Sequence, residues 1–444
     1  MDSFQQLYES GKYNELVTLT SQFNTPETKY WHIRAKLELF DFESLSDEIH
    51  KLEISDPEWN ARLLFNLGDK YLGAGYIDKG LTSFQASLNI YSDLNQTKET
   101  ADTLNRIGMT YSFKGEIELA LGNFEKGLKL AEEHDYKVLT SRIHNNIGEL
   151  YRAIGELELA QTNYEKALNI AKDCNEFDFI VIFLNNIAEI LTSKDKLSEA
   201  RQYLVEGKQY LPKTKDVGIR SLLYASWVEV SVMLDNLTEA EEAVDQLEVM
   251  VNKYGKKIIQ LHRDYGKALV YKSSNRLKFK VKAQELLETI INTSGIEFEL
   301  MIKAMNHRIE LLIYEYSAYE QDVVLVEIVK SIEQMYNLAK KQHRYATLID
   351  VLIIQSRLAI IDNKFDQASL LLTQAELMAK EKQMEHYSKK VQTEIEILEN
   401  NLSEIKRIIA SKSISERLDQ IELLDYIRRA RKIGDTFGGK DHEN

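Results

Sequence analysis

The chain has 444 residues, with only three Pro, 19 Gly and one Cys. Average usage is about 5% Pro and about 7% Gly, so proline is several-fold depleted, which excludes a loop-rich all-β or disordered chain and leaves a helical one. A hydrophobic content of 44% suffices for an ample buried core, while a net charge of −14 disfavours general binding to a phosphate backbone.

Lone Cys174 can form no internal disulfide. No run approaches the roughly 18 to 20 consecutive apolar residues of a membrane span. The start MDSFQQLYESGKYNE lacks the basic and apolar segments of a secretory signal, so a cytoplasmic location is expected.

In chain order, residues 1–60 read as divergent helical repeats. Tyr8-Glu9-Ser10-Gly11-Lys12-Tyr13 is a turn between helices. Thr25-Pro26 and Asp56-Pro57 are helix starts, each a capping residue followed by Pro at the first helical position.

Residues 61–250 carry the dominant signal, a period of 40. It aligns FNLGDKYLGAGYIDKGLTSFQAS from Phe65, NRIGMTYSFKGEIELALGNFEKG from Asn105 and NNIGELYRAIGELELAQTNYEKA from Asn145. Gly68, Gly108 and Gly148 form one column, and Tyr71, Tyr111 and Tyr151 the next. Then come Gly75, Gly115 and Gly155; Gly80, Ala120 and Ala160; and Phe84, Phe124 and Tyr164. The register continues through Ile187, Ala188, Asp195, Ala200 and Leu204, and again through Trp227, Val228, Asp235, Ala240 and Val244. These columns describe a helical hairpin. Small residues sit where another helix comes close, aromatic residues fill the space between the two helices, and Gly or Asp marks the turn after the first helix.

This pattern resembles the tetratricopeptide repeat, with its L-G-x-x-Y motif followed by small, aromatic and small positions. The usual period is about 34 and a proline usually closes each unit; here that proline is missing. The roughly six extra residues, at about 1.5 Å each, lengthen the helices by about 9 Å in all. The variant is similar to the long-helix repeats of kinesin light chains, spindle polarity adaptors, bacterial peptide-sensing regulators and the maltose-regulator class. The resemblance implies an all-α, right-handed superhelical solenoid of about ten tandem hairpins, with first helices lining a concave groove.

Residues 251–345 read as divergent, basic and irregular repeats. Ala283, Leu287 and Ile290 follow a turn near Asn275, and a hairpin is expected between about 300 and 345. Residues 253–282 hold ten basic side chains against one acid, Asp264, for a net +9. Lys256, Lys257, Arg263, Lys267, Arg276, Lys278 and Lys280 are thus candidates to bind an anion: an acidic protein segment, phosphate groups or nucleic acid. The reading preferred on sequence is self-complementation, with this unit docked on acidic neighbours or on another copy of the chain.

Residues 346–433 return to pattern at Ser356, Asn363, Ala368, Leu372 and Ala375. Residues 382–410 then read as one long charged helix. Residues 413–433 read as another, with an apolar stripe at Ile414, Leu418, Ile421, Leu424 and Ile427, expected to cap the last repeat or alternatively to enter the groove. Residues 434–444 are expected to be a disordered tail.

Enzyme motifs fail on their own terms. His262-Arg263-Asp264 is followed by Leu269 where a kinase loop needs Asn, and Gly73-Ala74-Gly75 follows no strand. None of the nine His lies three or four residues from another, so no helical metal pair exists. No catalytic residue, metal or cofactor is predicted, and the chain is expected not to be an enzyme.

The first-helix faces are the better lead. Asn105, Asn145 and Asn185 form one column, and Asn66, Asn146 and Asn186 the adjacent one, interrupted by Arg106. A side-chain amide both donates and accepts, so such a ladder can grip a peptide backbone; the alternative is that it only ties neighbouring helices together. Arg142, Arg152, Glu149 and Glu189, one turn away, would set selectivity, together with Arg62, Asp69, Asp102 and Glu229. The expected function is a non-catalytic adaptor that binds a peptide or helix of another protein, with self-association also open. The alternatives are a regulatory sensor, whose solenoid changes shape on binding a peptide or small ligand, and acidic-partner or nucleic-acid binding through the basic block.

Overall fold

The computed structural model describes residues 2–39, 54–319 and 321–400, with Ile414 and Glu416 beyond. The chain packs as two units, 1–146 and 147–444. Every described element is helical. Unit 1 contains α1 (Asp2–Glu9), α2 (Tyr13–Thr20), α3 (Pro26–Leu39), α4 (Pro57–Gly73), α5 (Ile77–Asp93), α6 (Thr97–Lys114) and α7 (Ile117–Glu133). Helix α8 (Lys137–Ala153) runs from the first unit into the second. Unit 2 continues with α9 (Leu157–Asp173), α10 (Phe177–Ser193), α11 (Leu197–Tyr210), α12 (Val217–Met233), α13 (Leu237–Tyr254), α14 (Lys257–Ser273) and α15 (Leu277–Ile291). It ends with α16 (Phe298–Tyr319), α17 (Asp322–Lys341), α18 (Tyr345–Ile361), α19 (Phe365–Glu381) and α20 (Glu385–Asn400). Each unit is an all-α array of paired hairpins, the stacking that makes a solenoid, and among the described residues there is no β-strand.

Local chemistry explains the turns. Gly75, Gly115 and Gly155 adopt φ of +84°, +69° and +86°, and Asp195 and Asp235 take the same left-handed conformation at +59° and +57°. The returns between hairpins use the same device at Asn95, Asp135 and Asn175. Gly, Asn and Asp are the residues that tolerate this conformation best. It lets the next backbone N–H reach back to close the helix: Tyr76 donates to the Tyr71 carbonyl at 2.8 Å, and Gln96 to that of Tyr91 at 3.0 Å. The left-handed residue therefore recurs about twice per 40-residue repeat, which fixes helices of about 17 residues. Proline acts at the other end, where the Asp56 carboxylate accepts the Trp59 N–H at 3.1 Å with Pro57 in the first turn. Pro212 lies in the short 3-10 turn Leu211–Lys213.

Packing refines the reading of the glycine columns. A Cβ on Gly68, Gly108 or Gly148 would lie 2.6–2.7 Å from the ring of Phe84, Phe124 or Tyr164. It is therefore the aromatic residue of the second helix, rather than a neighbouring backbone, that excludes a side chain there. A Cβ on Gly80 would face backbone, 3.2 Å from the Gly68 carbonyl oxygen. The three rings and Ala120, Ala160, Ala200 and Ala240 are fully buried.

The 300–345 hairpin is α16 and α17. The helix expected over 382–410 starts at Glu385, after a turn with Gln383 at φ +55°. Residues 401–410, the 413–433 helix apart from Ile414 and Glu416, and the 434–444 tail lie outside the described residues.

Candidate functional site

In unit 1 the first helices α4 and α6, with the start of α8, present a row of polar side chains. Asn66 donates to the Tyr30 hydroxyl at 3.0 Å and to the Arg62 carbonyl at 2.7 Å. Arg106 lies 3.4 Å from Asp69, and Arg142 lies 3.3 Å from Asp102. All four charged side chains are 25–34% exposed. These pairs are close without hydrogen-bond geometry: Arg106 Nε and Asp102 Oδ1 have no hydrogen-bond partner. Burial raises the Asp69 carboxyl above its ordinary value despite the opposing charge of Arg106. The face therefore carries matched charges whose hydrogen-bonding capacity is not fully used.

Members of the two asparagine columns have different fates. Asn105 and Asn185 are buried, at 0% and 2% exposure, so they offer no surface to a ligand. At Asn105 and Asn185 the alternative left open by the sequence, a tie between neighbouring helices, fits the burial, while Asn145 of the same column stays half-buried. Asn146 Nδ2 donates to Asn105 Oδ1 at 2.8 Å, which ties α8 to α6. Asn145 Nδ2 lies 3.4 Å from the Asn146 amide oxygen. Asn66, Asn145, Asn146 and Asn186 are half-buried, and they are the members left with solvent-facing surface.

In unit 2 the same face is acidic and closed. Glu149, Glu189 and Glu229 recur at the 40-residue period on α8, α10 and α12. Glu149 accepts from the Tyr164 hydroxyl at 2.7 Å, from Asn186 at 3.2 Å and from Arg152 at 2.8 Å. Arg152 also lies 3.6 Å from Glu299. From α16, the Lys303 ammonium donates to Glu189 and to Glu229, each at 3.1 Å. Burial opposes charge on Glu189 and on Lys303. The Lys303 charge nevertheless holds the Glu189 carboxyl below its usual range, and Glu189 with Glu229 hold Lys303 well above its own.

Lys303 was not legible as a site residue, because its partners lie 114 and 74 positions earlier in the chain. The exact spacing of the three glutamates was the one signal available.

The basic block is largely engaged from within unit 2. Lys257 donates to the Ser294 carbonyl at 2.8 Å. Arg263 pairs with Asp264 at 2.7 Å and with Glu248 at 3.3 Å, and Lys267 pairs with Glu248 at 2.6 Å. Lys280 lies over the Tyr314 ring at 4.3 Å and Lys278 over Phe279 at 5.0 Å. Lys256 and Arg276 stand exposed at the starts of α14 and α15. A cleft of about 490 Å³ on α14 and α15 sets Arg263, Lys267 and Lys282 beside Asp264 and Glu285, a lining of both signs. Among the described residues no cluster of His, Cys, Asp and Glu could hold a metal ion. No described helix is long and apolar enough to cross a membrane.

Comparison with known proteins places this architecture. The family model of the MalT-like TPR region matches residues 49–260. No curated protein sequence matches the chain. Among solved structures, a Rap protein complexed with competence and sporulation factor is 12% identical over 77% of this chain and 97% of that one, with a TM-score of 0.51. The Rap conjugation gene regulator of plasmid pLS20, in complex with the Phr* peptide, is 14% identical over 76% and 95%, at 0.50. The apo quorum sensor NprR from B. thuringiensis is 15% identical over 83% and 98%, at 0.44. At 12–14% identity the likeness to the two Rap proteins is one of fold, and the family match over residues 49–260 with the 40-residue hairpins shows an array of tetratricopeptide-like helical repeats there.

Proposed function

We propose that the chain is a non-catalytic scaffold that binds a peptide or helical segment of another protein on the first-helix face of unit 1. The observation that carries this reading is the row Asn66, Asp69, Asp102, Arg106, Arg142 and Asn146. It holds half-exposed amides and loosely paired charges at repeat spacing, with Arg106 Nε and Asp102 Oδ1 lacking hydrogen-bond partners. Such a row can meet an extended backbone with its amides and side chains of either sign with its charges. The pLS20 Rap regulator, which shares the fold, is described with a bound peptide, and this makes a peptide the ligand class to try first.

The test is to pan a random-sequence peptide library on the full chain and titrate enriched peptides by fluorescence anisotropy. Asn66→Ala and Arg142→Gln are expected to weaken binding by about tenfold, or about 1.4 kcal/mol, with the melting temperature nearly unchanged. Failure to enrich any peptide, or affinities indifferent to both substitutions, would overturn the proposal.

A further inference from the structure

The polar network of unit 2 has a topology that ordinary repeat packing does not require. Successive hairpins contact their neighbours, yet Lys303 on α16 reaches α12, two first helices back, and α10, three back. Arg152 on α8 reaches Glu299 on the same helix α16. Farther along, the His386 ring at the start of α20 lies against Gly155, where a Cβ would be 2.8 Å from it. The array from α8 to α20 therefore curls until its inner face meets itself, with Lys303 at the meeting point.

Electrostatics gives that lysine a particular task. Neighbouring first helices carry Glu149, Glu189 and Glu229 in one column, and like charges in such a column repel. One ammonium shared between Glu189 and Glu229 turns this repulsion into attraction, but only while α16 stays seated. The side chains of Lys303 and Glu189 are 27% and 29% exposed, and that of Glu229 is 10% exposed. Water and salt therefore reach the pair. Ion pairs of this kind add little net stability but fix a geometry, because removing one partner strands the others.

The geometry points to a clasp: through Lys303, α16 holds the inner face of α10 and α12 closed, and release of Lys303 opens that face. This goes beyond the peptide-binding reading and stands without it, since the test needs no ligand.

The test is hydrogen exchange on the full chain. In wild-type protein, about 1 M salt, which shortens screening to about 3 Å, is expected to speed exchange in α10, α12 and α16 and to leave α4 to α6 unchanged. Lys303→Met is expected to speed exchange in α10, α12 and α16 by about tenfold, as for a local opening, with no further acceleration by salt, which then screens the Glu189–Glu229 repulsion instead. Combining it with Glu189→Gln and Glu229→Gln, which removes the repulsion, is expected to restore protection. The clasp is overturned if salt and Lys303→Met leave those three helices unchanged. It is equally overturned if exchange accelerates to the same extent in unit 1, which would mark a general loss of stability, or if the triple variant exchanges as fast as Lys303→Met alone.

Discussion

Asn146 on α8 donates its side-chain N–H to the Asn105 amide oxygen on α6 at 2.8 Å, joining two first helices 41 residues apart. One partner is buried and the other half-exposed. Of these two residues from adjacent columns, Asn105 thus serves the helix contact and Asn146 stands at its solvent-facing edge. Asn146→Ala leaves the buried Asn105 oxygen without its donor and is expected to cost about 1–3 kcal/mol. In a urea-melt double-mutant cycle, Asn105→Ala and Asn146→Ala should couple by about 0.5–1.5 kcal/mol. Simple additivity would show that the bond does not form in solution.

Two glycines within helices should respond in opposite directions to alanine. At Gly148 a Cβ would lie 2.6 Å from the buried Tyr164 ring, so Gly148→Ala is expected to destabilise by about 1–3 kcal/mol. Nothing lies within 4 Å of a Cβ at Gly122 on α7, where the gain in helix propensity is expected to stabilise by about 0.5–1 kcal/mol. Thermal melts of the two variants compare these outcomes directly.

Acid should weaken unit 2 through His262. The ring is 4% exposed and its Nδ1 lies 2.8 Å from the Ser221 hydroxyl oxygen. Burial, and then the charge of Lys303, push its pKa down from 6.5 to about 4. With the folded value below the unfolded one, the unfolded chain binds more protons between these limits, so stability falls as the pH drops through that window. The loss is expected to reach about 3 kcal/mol at the acid end. Urea midpoints measured from pH 7 to 4 should fall less steeply in His262→Gln; an unchanged slope would assign the acid sensitivity to other groups.

The α18–α20 contact depends on a buried pair, Arg357 with Glu394, at 2.7 Å and with both side chains under 10% exposed. Arg357→Ala strands the carboxylate and is expected to cost about 3–5 kcal/mol, whereas Arg357→Met combined with Glu394→Leu should recover most of that loss. Denaturant melts that show the two variants equally destabilised would contradict this.

What the sequence determined by itself was the repeat. Helix length, turn position and core columns depend on contacts within one hairpin, so they recur at fixed spacing in Gly75, Tyr71, Ala120 and Phe124 and can be read without coordinates. The pairing of Arg263 and Lys267 with Glu248 was also open to a sequence argument, since Glu248 stands close in the chain. The tertiary structure decided which face each periodic polar residue occupies. A shift of one position around a helix turns a side chain by about 100°, enough to bury Asn105 and leave Asn146 half-exposed. It alone decided the partners of Lys303, because curling of the array brings together residues 74 and 114 positions apart through many small rotations between hairpins, and no local pattern encodes their sum.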